Sequence, residues 1–402
     1  MLTYADAVAE ILKLPVAPLP ERIPLLDAAG RYLASETRAP WSLPTFDQSA
    51  MDGFAVYAED LWRAAPSAEV RLRILGESAA GLPFTGDVPR GGAVRISTGA
   101  QVPSGMNAVV PIEISRVVED EVGFAIPPRA EQFVRRAGTD VKEGEIIGAK
   151  GARITPGLTA LLAFYNLVEV DVVVKPRVGI LTSGDELRAL GADLGPTQIV
   201  ASSVYLLNQA LEEFGAEARL FGIAPDHEDG FARLFREALA WSDVVVTTAG
   251  VSVGEHDVVG RVVEREGGSV NFWRVAVRPG KPMLVATFGE KTHFGFPGNP
   301  VSTACNLEVF LKPHLRRWFG VEPAVPPLEK VRLGAPCPRD RQRLFFVYAE
   351  IRVEAGERVL HPIPNQNSGN QLLPAKGHAL AVVEAGAKDL AAGELVEVVV
   401  LS

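Results

Sequence analysis

The run DVVVTTAGVSVGEHDVVGRVVEREGG, residues 243–268, reads as a strand (243–248), a glycine-rich loop and a helix (257–266) stopped by Gly267-Gly268. Working outward from it, the same rhythm fills 178–318. Strands are expected at 177–182, 217–222, 283–287 and 292–296. Helices are expected at 202–214, ended by Gly215, and at 228–240 and 300–317. Alternation of this kind implies βαβ units, a mostly parallel sheet and helices on both of its faces.

The flanks read differently. Thr3 with Asp6 three residues on resembles a helix-start box, and Ala7, Val8, Ile11 and Leu12 share one helical face, so a helix is expected from about 4 to 13, ended before Pro15. From Pro40 to about 139, short β-rich runs (70–75, 93–97, 108–112 and 123–127) separated by Gly/Pro clusters predict a small β domain. After Pro323 the strand-like runs 345–353, 379–384 and 394–401 predict a terminal β domain or barrel. No fixed-period repeat or low-complexity tract interrupts the pattern.

A chain of 402 residues predicts two to four domains at roughly 150 residues each. Apolar residues at 47% and charged residues at 22% suit packed soluble domains and exclude a mainly disordered chain. Forty Lys+Arg against forty-nine Asp+Glu give a net charge of −9, which argues against generic nucleic-acid binding while leaving room for local basic patches. Two cysteines, Cys305 and Cys337, build neither a disulfide framework nor a multi-thiolate zinc site, so a cytoplasmic home is expected. The N-terminus lacks the basic leader and apolar run of a signal peptide. The longest uncharged stretch, 154–168, is too short and too polar to span a bilayer, so no membrane association is expected.

In an open parallel sheet, ligands bind outside the carboxyl ends of the strands, where loops feed helix N-termini. Those loops here carry Thr182-Ser183-Gly184-Asp185-Glu186, then Asp226, Glu228 and Asp229, then Thr248 to Asp257, with Arg278-Pro279-Gly280-Lys281-Pro282 and Pro297-Gly298-Asn299-Pro300 following. Asn299 and Pro300 fit the cap and first positions of a helix. Carboxylates alone would repel a phosphate, and cations alone need no carboxylates. Both together suit a phosphorylated ligand bridged by Mg²⁺, a hard cation that takes oxygen ligands. For any single acid the plainer reading is a helix cap, and Glu228, Asp229 and Asp257 sit where caps belong.

Gly250-Val251-Ser252-Val253-Gly254 matches a G-x-S-x-G nucleophile elbow, with His293 and His314 downstream as paper partners. Glu255 and Asp257 directly after it would oppose a developing oxyanion, so Ser252 reads instead as a donor to a bound oxyanion or as a turn residue. There is no G-x-G-x-x-G after a strand, no P-loop, no H-E-x-x-H and no C-x-x-C. Outside the sheet, Ser49 to Ala55 looks like a docked loop carrying Asp52. Arg135 and Arg136 with Asp140 combine an anion-binding pair with an acid, and an interdomain salt link is the plainer reading for both segments.

These segments carry a resemblance. PTFDQSAMDGFAV (44–56), ISTGAQVPSG (96–105), FVRRAGTD (133–140), LTSGDEL (181–187), AGVSVGEHD (249–257), RPGKP (278–282), FPGNPVS (296–302) and NQNSG (365–369) run in order along nearly the whole chain. The set resembles the molybdopterin molybdenumtransferase family, the MoeA proteins and the gephyrin E domain. The resemblance implies a homodimer of four-domain subunits: a discontinuous domain I (1–38 and 140–176), an inserted β-rich domain II (39–139), an α/β molybdopterin-binding domain III (177–321) and a C-terminal β-barrel domain IV (322–402). It implies insertion of molybdenum from molybdate into adenylylated molybdopterin with release of AMP, aided by Mg²⁺ or a similar divalent ion.

By match to the family's motifs, the implied site holds Asp52, Thr98, Arg135, Asp140, Glu186, Asp226, Asp257, Arg278, Lys281, Pro297 and Pro300. Glu186, Asp226 and Asp257 are expected at the metal or at a pyrophosphate-bound water. Arg278, Lys281 and Ser368 are expected at molybdate or phosphate, and Asp52, Thr98, Arg135 and Asp140 on the inserted-domain side, from the same or the partner subunit. The sequence departs from the family's pattern at Ala249 for Gly, Arg278 for Lys, Ser203 for Asn, and in FFVYAEI, which lacks the usual strand arginine although Arg341 and Arg343 lie close. A molybdopterin adenylyltransferase and molybdoenzyme maturation proteins are the partners such a role implies. The competing readings are a molybdopterin adenylyltransferase, since the α/β part resembles that family, and a gephyrin-like scaffold without catalysis.

Overall fold

The computed structural model describes residues 1–250 and 258–401, which fall into two units. One holds residues 1–35, 150–163 and 167 onward; the other holds 36–149 and 164–166.

The first unit is built on a six-stranded mixed sheet in the order Glu217–Ala224, Arg177–Ser183, Val244–Thr248, Lys291–Phe296, Leu284–Phe288, Ser269–Trp273. The first four strands are parallel. All five residues of Val244–Thr248 are buried, as a central strand covered on both faces requires. Alternation sorts its side chains: Val244 and Val246 join Leu207, Leu211 and Phe310 on one face, while Val245 joins Phe231, Phe235 and Val262 on the other. The helices Ser202–Phe214 and Pro300–Asn306 therefore cover one face, and Glu228–Trp241 and Val258–Arg265 the other.

The last two strands of the sheet run antiparallel to their neighbours. Phe288 pairs with Lys291, leaving only Gly289 and Glu290 between strands, and two residues make a hairpin but no crossover. Ser269–Trp273 is a strand that the sequence reading did not include. The expected helix over 300–317 is continuous but changes pitch: Leu307–Leu311 is a π-helix, and the Lys312 amide donates to Leu307 five residues back. Pro313 has no N–H to give and its ring crowds the carbonyl four residues earlier, so the wider turn relieves it.

Leu344–Glu354, Glu357–Pro362, Glu329–Leu333, Leu395–Val400 and Ala379–Val383 pair in that order, and the last returns to the first, closing a five-stranded barrel. Val277–Arg278 adds in parallel beside Leu344 and Phe345, which carries Arg278 from the α/β part onto the barrel edge. At the N-terminus, Tyr4–Ile11 is a helix whose first turn is capped by the Thr3 hydroxyl, accepting from the Asp6 amide at 3.1 Å. Thr3→Ala is expected to cost about 1 kcal/mol in the local opening energy of this helix, measured by amide hydrogen exchange.

The second unit holds a six-stranded sheet in the order Ala108–Pro111, Gly53–Val56, Gly92–Ile96, Val70–Ser78, Glu121–Phe124, Ser115–Val118. Gly53 belongs there because a Cβ would lie 2.0 Å from the Val110 carbonyl oxygen. A short ribbon of Gln48–Ser49 with Val134–Arg135 flanks the sheet. Among the described residues, no helix is long and apolar enough to cross a membrane.

Candidate active site

The four parallel strands end at Ser183, Ala224, Thr248 and Phe296 on one edge of the sheet, and three pockets open along it. They share walls: Glu186 and Ala249 line both the acidic and the central pocket, and Asn299 lines both the central and the third. Shared walls suit one extended ligand better than three separate ones.

The third pocket, of about 630 Å³, is lined by Arg278, Lys281, Pro297, Asn299, Arg343 and Ser368, among others. It unites Arg278 and Lys281 of the RPGKP turn with Pro297 and Ser368, residues that the sequence places on three separate segments. Gly280 shapes the cationic turn: its φ is +98°, and a Cβ there would sit 2.1 Å from Oδ1 of the buried Asn306, whose Nδ2 donates to the Gly280 carbonyl at 3.4 Å. Lys281 is exposed and has no ion-pair partner among the described residues. Arg278 stacks 4.4 Å from the Phe345 ring centroid.

Asn299 does stand at the helix cap position and Pro300 follows as the first helical residue, but the Asn299 side chain makes no cap hydrogen bond. It donates instead to the Ser368 hydroxyl at 3.1 Å, joining the α/β rim to the NQNSG loop. Ser203 donates to the Gly298 carbonyl at 2.8 Å and so holds the Pro297–Pro300 turn from beneath. Ala249 has a φ of +70°, so its methyl places a β-carbon in the left-handed region, at a cost of roughly 1–2 kcal/mol.

The opposite end is acidic. Glu186 and Asp226 line one pocket with Ser183, Gly184 and Gly250. The Asp226 carboxylate accepts from the Asp185 amide at 3.3 Å, and neither Glu186 nor Asp226 forms an ion pair among the described residues. The Ser183 hydroxyl is buried there without a hydrogen-bond partner among the described residues. Glu228 and Asp229 are spoken for: Arg261 pairs with Glu228 at 2.6 Å and Arg265 with Asp229 at 3.1 Å, while His227 caps the helix by accepting from the Gly230 amide. These two acids are therefore first-turn residues paired with arginines, and the cap position expected of them belongs to His227. Among the described residues no group of three His, Cys, Asp or Glu could enclose a metal. Ser252 and Asp257 lie outside the described residues.

His293 and His314 are fully buried, bonded through Nε2 to Thr247 at 3.0 Å and Thr292 at 3.3 Å, and sit in the core rather than on the rim. Neither serves a nucleophile.

In the second unit the paired expectations meet. Asp52 accepts from the Thr98 amide at 2.6 Å and its hydroxyl at 2.9 Å, and these bonds, the amide first, hold its pKa below the ordinary carboxylate value. Arg135 pairs with Asp140, and Arg136 bridges Asp47 and Glu131. All of these links lie inside one compact unit. The ribbon and the Gly99 amide, which donates to the Ser49 carbonyl at 2.8 Å, gather the segments bearing Asp52, Thr98 and Arg135.

Sequence reasoning noted Arg343 only as lying near the missing strand arginine, and it missed Gln366 and Asn367 in the third pocket and Gln371 in the central one. The signal was present for these three, since NQNSG and the residues just after it were already in view, but only Ser368 was drawn from that loop.

Residues 2–165 match the family described as the MoeA N-terminal region (domain I and II), 179–317 the probable molybdopterin binding domain, and 330–401 the MoeA C-terminal region (domain IV). The molybdopterin molybdenumtransferase of Haemophilus influenzae is 34% identical over 406 residues, covering 99% of this chain and 98% of the relative. That of Bacillus subtilis is 32% identical over 386 residues, covering 95% and 90%. The solved molybdopterin biosynthesis MoeA protein of Pyrococcus horikoshii OT3 superposes with a TM-score of 0.86 at 27% identity, covering all of both chains. A sheet edge with a cationic and an acidic end, a closed C-terminal barrel and matches along almost the full length together show that this chain belongs to the molybdopterin molybdenumtransferase family, transferases of molybdenum cofactor biosynthesis.

Proposed function

We propose that this chain inserts molybdenum from molybdate into adenylylated molybdopterin, releasing AMP and the molybdenum cofactor, with the three joined pockets as its substrate groove. The observation that carries the reading is the third pocket, where Arg278 and Lys281 of one turn converge with Arg343 and Ser368 from two other segments. Molybdate is a tetrahedral dianion, and such a set of charged and hydroxyl donors is what it requires. Lys281 supplies a mobile point charge and Arg278 a planar fork, so the two neutralise and orient the oxyanion in different ways. Ser368, whose hydroxyl accepts from Asn299, adds a hydroxyl from the NQNSG loop to the same pocket. The central pocket, lined by Ile199, Val200, Ser202, Thr248 and Gln371, offers the mixed apolar and polar wall that suits a pterin.

The acidic end fits a divalent cation. Glu186 and Asp226 are oxygen donors with no ion-pair partner among the described residues, Arg261 on the same wall pairs with Glu228, and the Ser183 hydroxyl has no hydrogen-bond partner among the described residues. Mg²⁺ held there, with Asp257 as the expected further ligand, would neutralise the pyrophosphate charge. Asp52, Thr98, Arg135 and Asp140 are the second unit's proposed contribution to substrate binding. Homodimer assembly, the four-domain division at 1–38 with 140–176, 39–139, 177–321 and 322–402, and a cytoplasmic setting belong to the same proposal, with a molybdopterin adenylyltransferase upstream and molybdoenzyme maturation proteins downstream. The setting is supported by two cysteines that are both free and buried.

Purified protein mixed with adenylylated molybdopterin, molybdate and Mg²⁺ is expected to release AMP in step with molybdenum capture. ATP consumption on free molybdopterin would replace this reading with adenylylation. Neither reaction would leave a scaffold.

A further inference from the structure

We propose that Asp340 is a positioning residue of the oxyanion pocket, holding Arg278 and Arg343 at one carboxylate so that both guanidinium groups face the anion. This rests on the reading of that pocket as the molybdate site, and it concerns a residue that does not line the pocket itself. Asp340 is only 8% exposed. Its Oδ2 accepts from Arg343 Nη2 at 2.9 Å and lies 3.5 Å from Arg278 Nη1, while its Oδ1 accepts the backbone amides of Gln342 and Arg343, both at 3.0 Å. One side chain thus ties the turn that carries Arg343 to an arginine delivered by a different segment.

The charges explain why a clamp is needed. Two guanidinium groups lining one pocket repel each other, and in water each side chain would turn outward. A shared carboxylate removes the repulsion at a fixed place and leaves the remaining N–H donors free for a ligand. The stacking of Arg278 on Phe345, its neighbour across the parallel bridge, fixes the plane of that fork. The turn itself has other anchors: the Gly386 amide donates to the Asp340 carbonyl at 2.9 Å, and Asp389 accepts from the Arg339 amide at 3.0 Å. Its backbone therefore does not depend on the carboxylate charge.

Asp340→Asn separates the two roles, because the amide oxygen still accepts both backbone N–H groups while the charge shared by the arginines is lost. The sign of the effect is diagnostic. If the carboxylate merely sits near a dianion, its removal tightens molybdate binding; if it positions the arginines, its removal weakens binding. Equilibrium dialysis of the full chain with molybdate alone is expected to show binding weakened about 10-fold in Asp340→Asn, with the melting temperature within a few degrees of the parent. Arg343→Gln is expected to weaken binding similarly, and the double variant to be within about twofold of Arg343→Gln, since both changes break the same link. Tighter or unchanged binding in Asp340→Asn, or fully additive losses in the double variant, overturns the proposal. So does failure of both Asp340→Asn and Asp340→Ser to fold, which would make the carboxylate a structural requirement. Failure of the parent protein to bind molybdate is a separate result, and it removes the reading of the pocket instead.

Discussion

Lys281→Ala is expected to lower kcat/KM for molybdate by about 100-fold, while circular dichroism and melting temperature stay at parent values. The size follows from deleting a charged donor to a dianion, worth on the order of 3 kcal/mol where the partner is held in a shaped pocket. The side chain is exposed and has no ion-pair partner among the described residues, so its removal costs the fold little. The neighbouring Gly280 and its buried partner Asn306 keep the turn in place in the variant. Lys281→Arg should retain part of the activity, because the charge survives while the point-like ammonium becomes a fork. The loss should fall on molybdate, with the pterin substrate's KM moving less than twofold, since the central pocket does not include Lys281. Near-parent turnover in Lys281→Ala would remove the third pocket from the mechanism.

The second large effect is acid destabilisation centred on the core of the α/β part. His293 and His314 are fully buried, each with an unpartnered Nδ1, and burial pushes the pKa of both down to about 3, with the Arg317 charge adding to the effect at His314. In the unfolded chain each titrates at about 6.5. Between those values the unfolded state binds protons that the native state refuses, so stability is full above pH 6.5 and falls as the pH drops. The slope is about 1.4 kcal/mol per pH unit for each histidine, or roughly 4 kcal/mol for the pair between pH 6.5 and 5. Asp52 and Asp340 act in a different window. Hydrogen bonds hold both below the ordinary carboxylate range, so their stabilisation is present above the unfolded value near pH 4 and is lost only on further acidification. Melting temperature should therefore drop steeply from pH 7 to 5, and His293→Gln/His314→Gln should be less stable at neutral pH with a flatter slope. A flat parent profile over that range would contradict the assignment.

How much of this was written in the chain can be judged from individual elements. The helix Ser202–Phe214 and the strand Val244–Thr248 were legible because apolar period and terminators such as Gly215 act over a few residues. The π turn at Leu307–Leu311 was not, although Pro313 hinted at a disturbance, because the choice between a kink and a wider turn depends on what packs against the helix. Asn299 was readable as a cap position, but its side chain serves Ser368 from a loop 69 residues away. Arg343 was noticed only as a neighbour of the missing strand arginine, and Asp340 stayed invisible as a site residue. Nothing local marks a carboxylate that will be shared with Arg278, 62 residues earlier, and the bond exists only because Val277–Arg278 joins the barrel edge beside Phe345.

By itself, then, the sequence determined the fold class, the family and the loops that carry the chemistry, since periodicity, turn residues and motif identity are properties of neighbouring positions. The tertiary structure alone decided which of those loops share a wall, which acids are already engaged by arginines and which donors face one pocket. Such facts depend on distances between segments far apart in the chain, and these distances arise only when the sheet, helices and barrel pack.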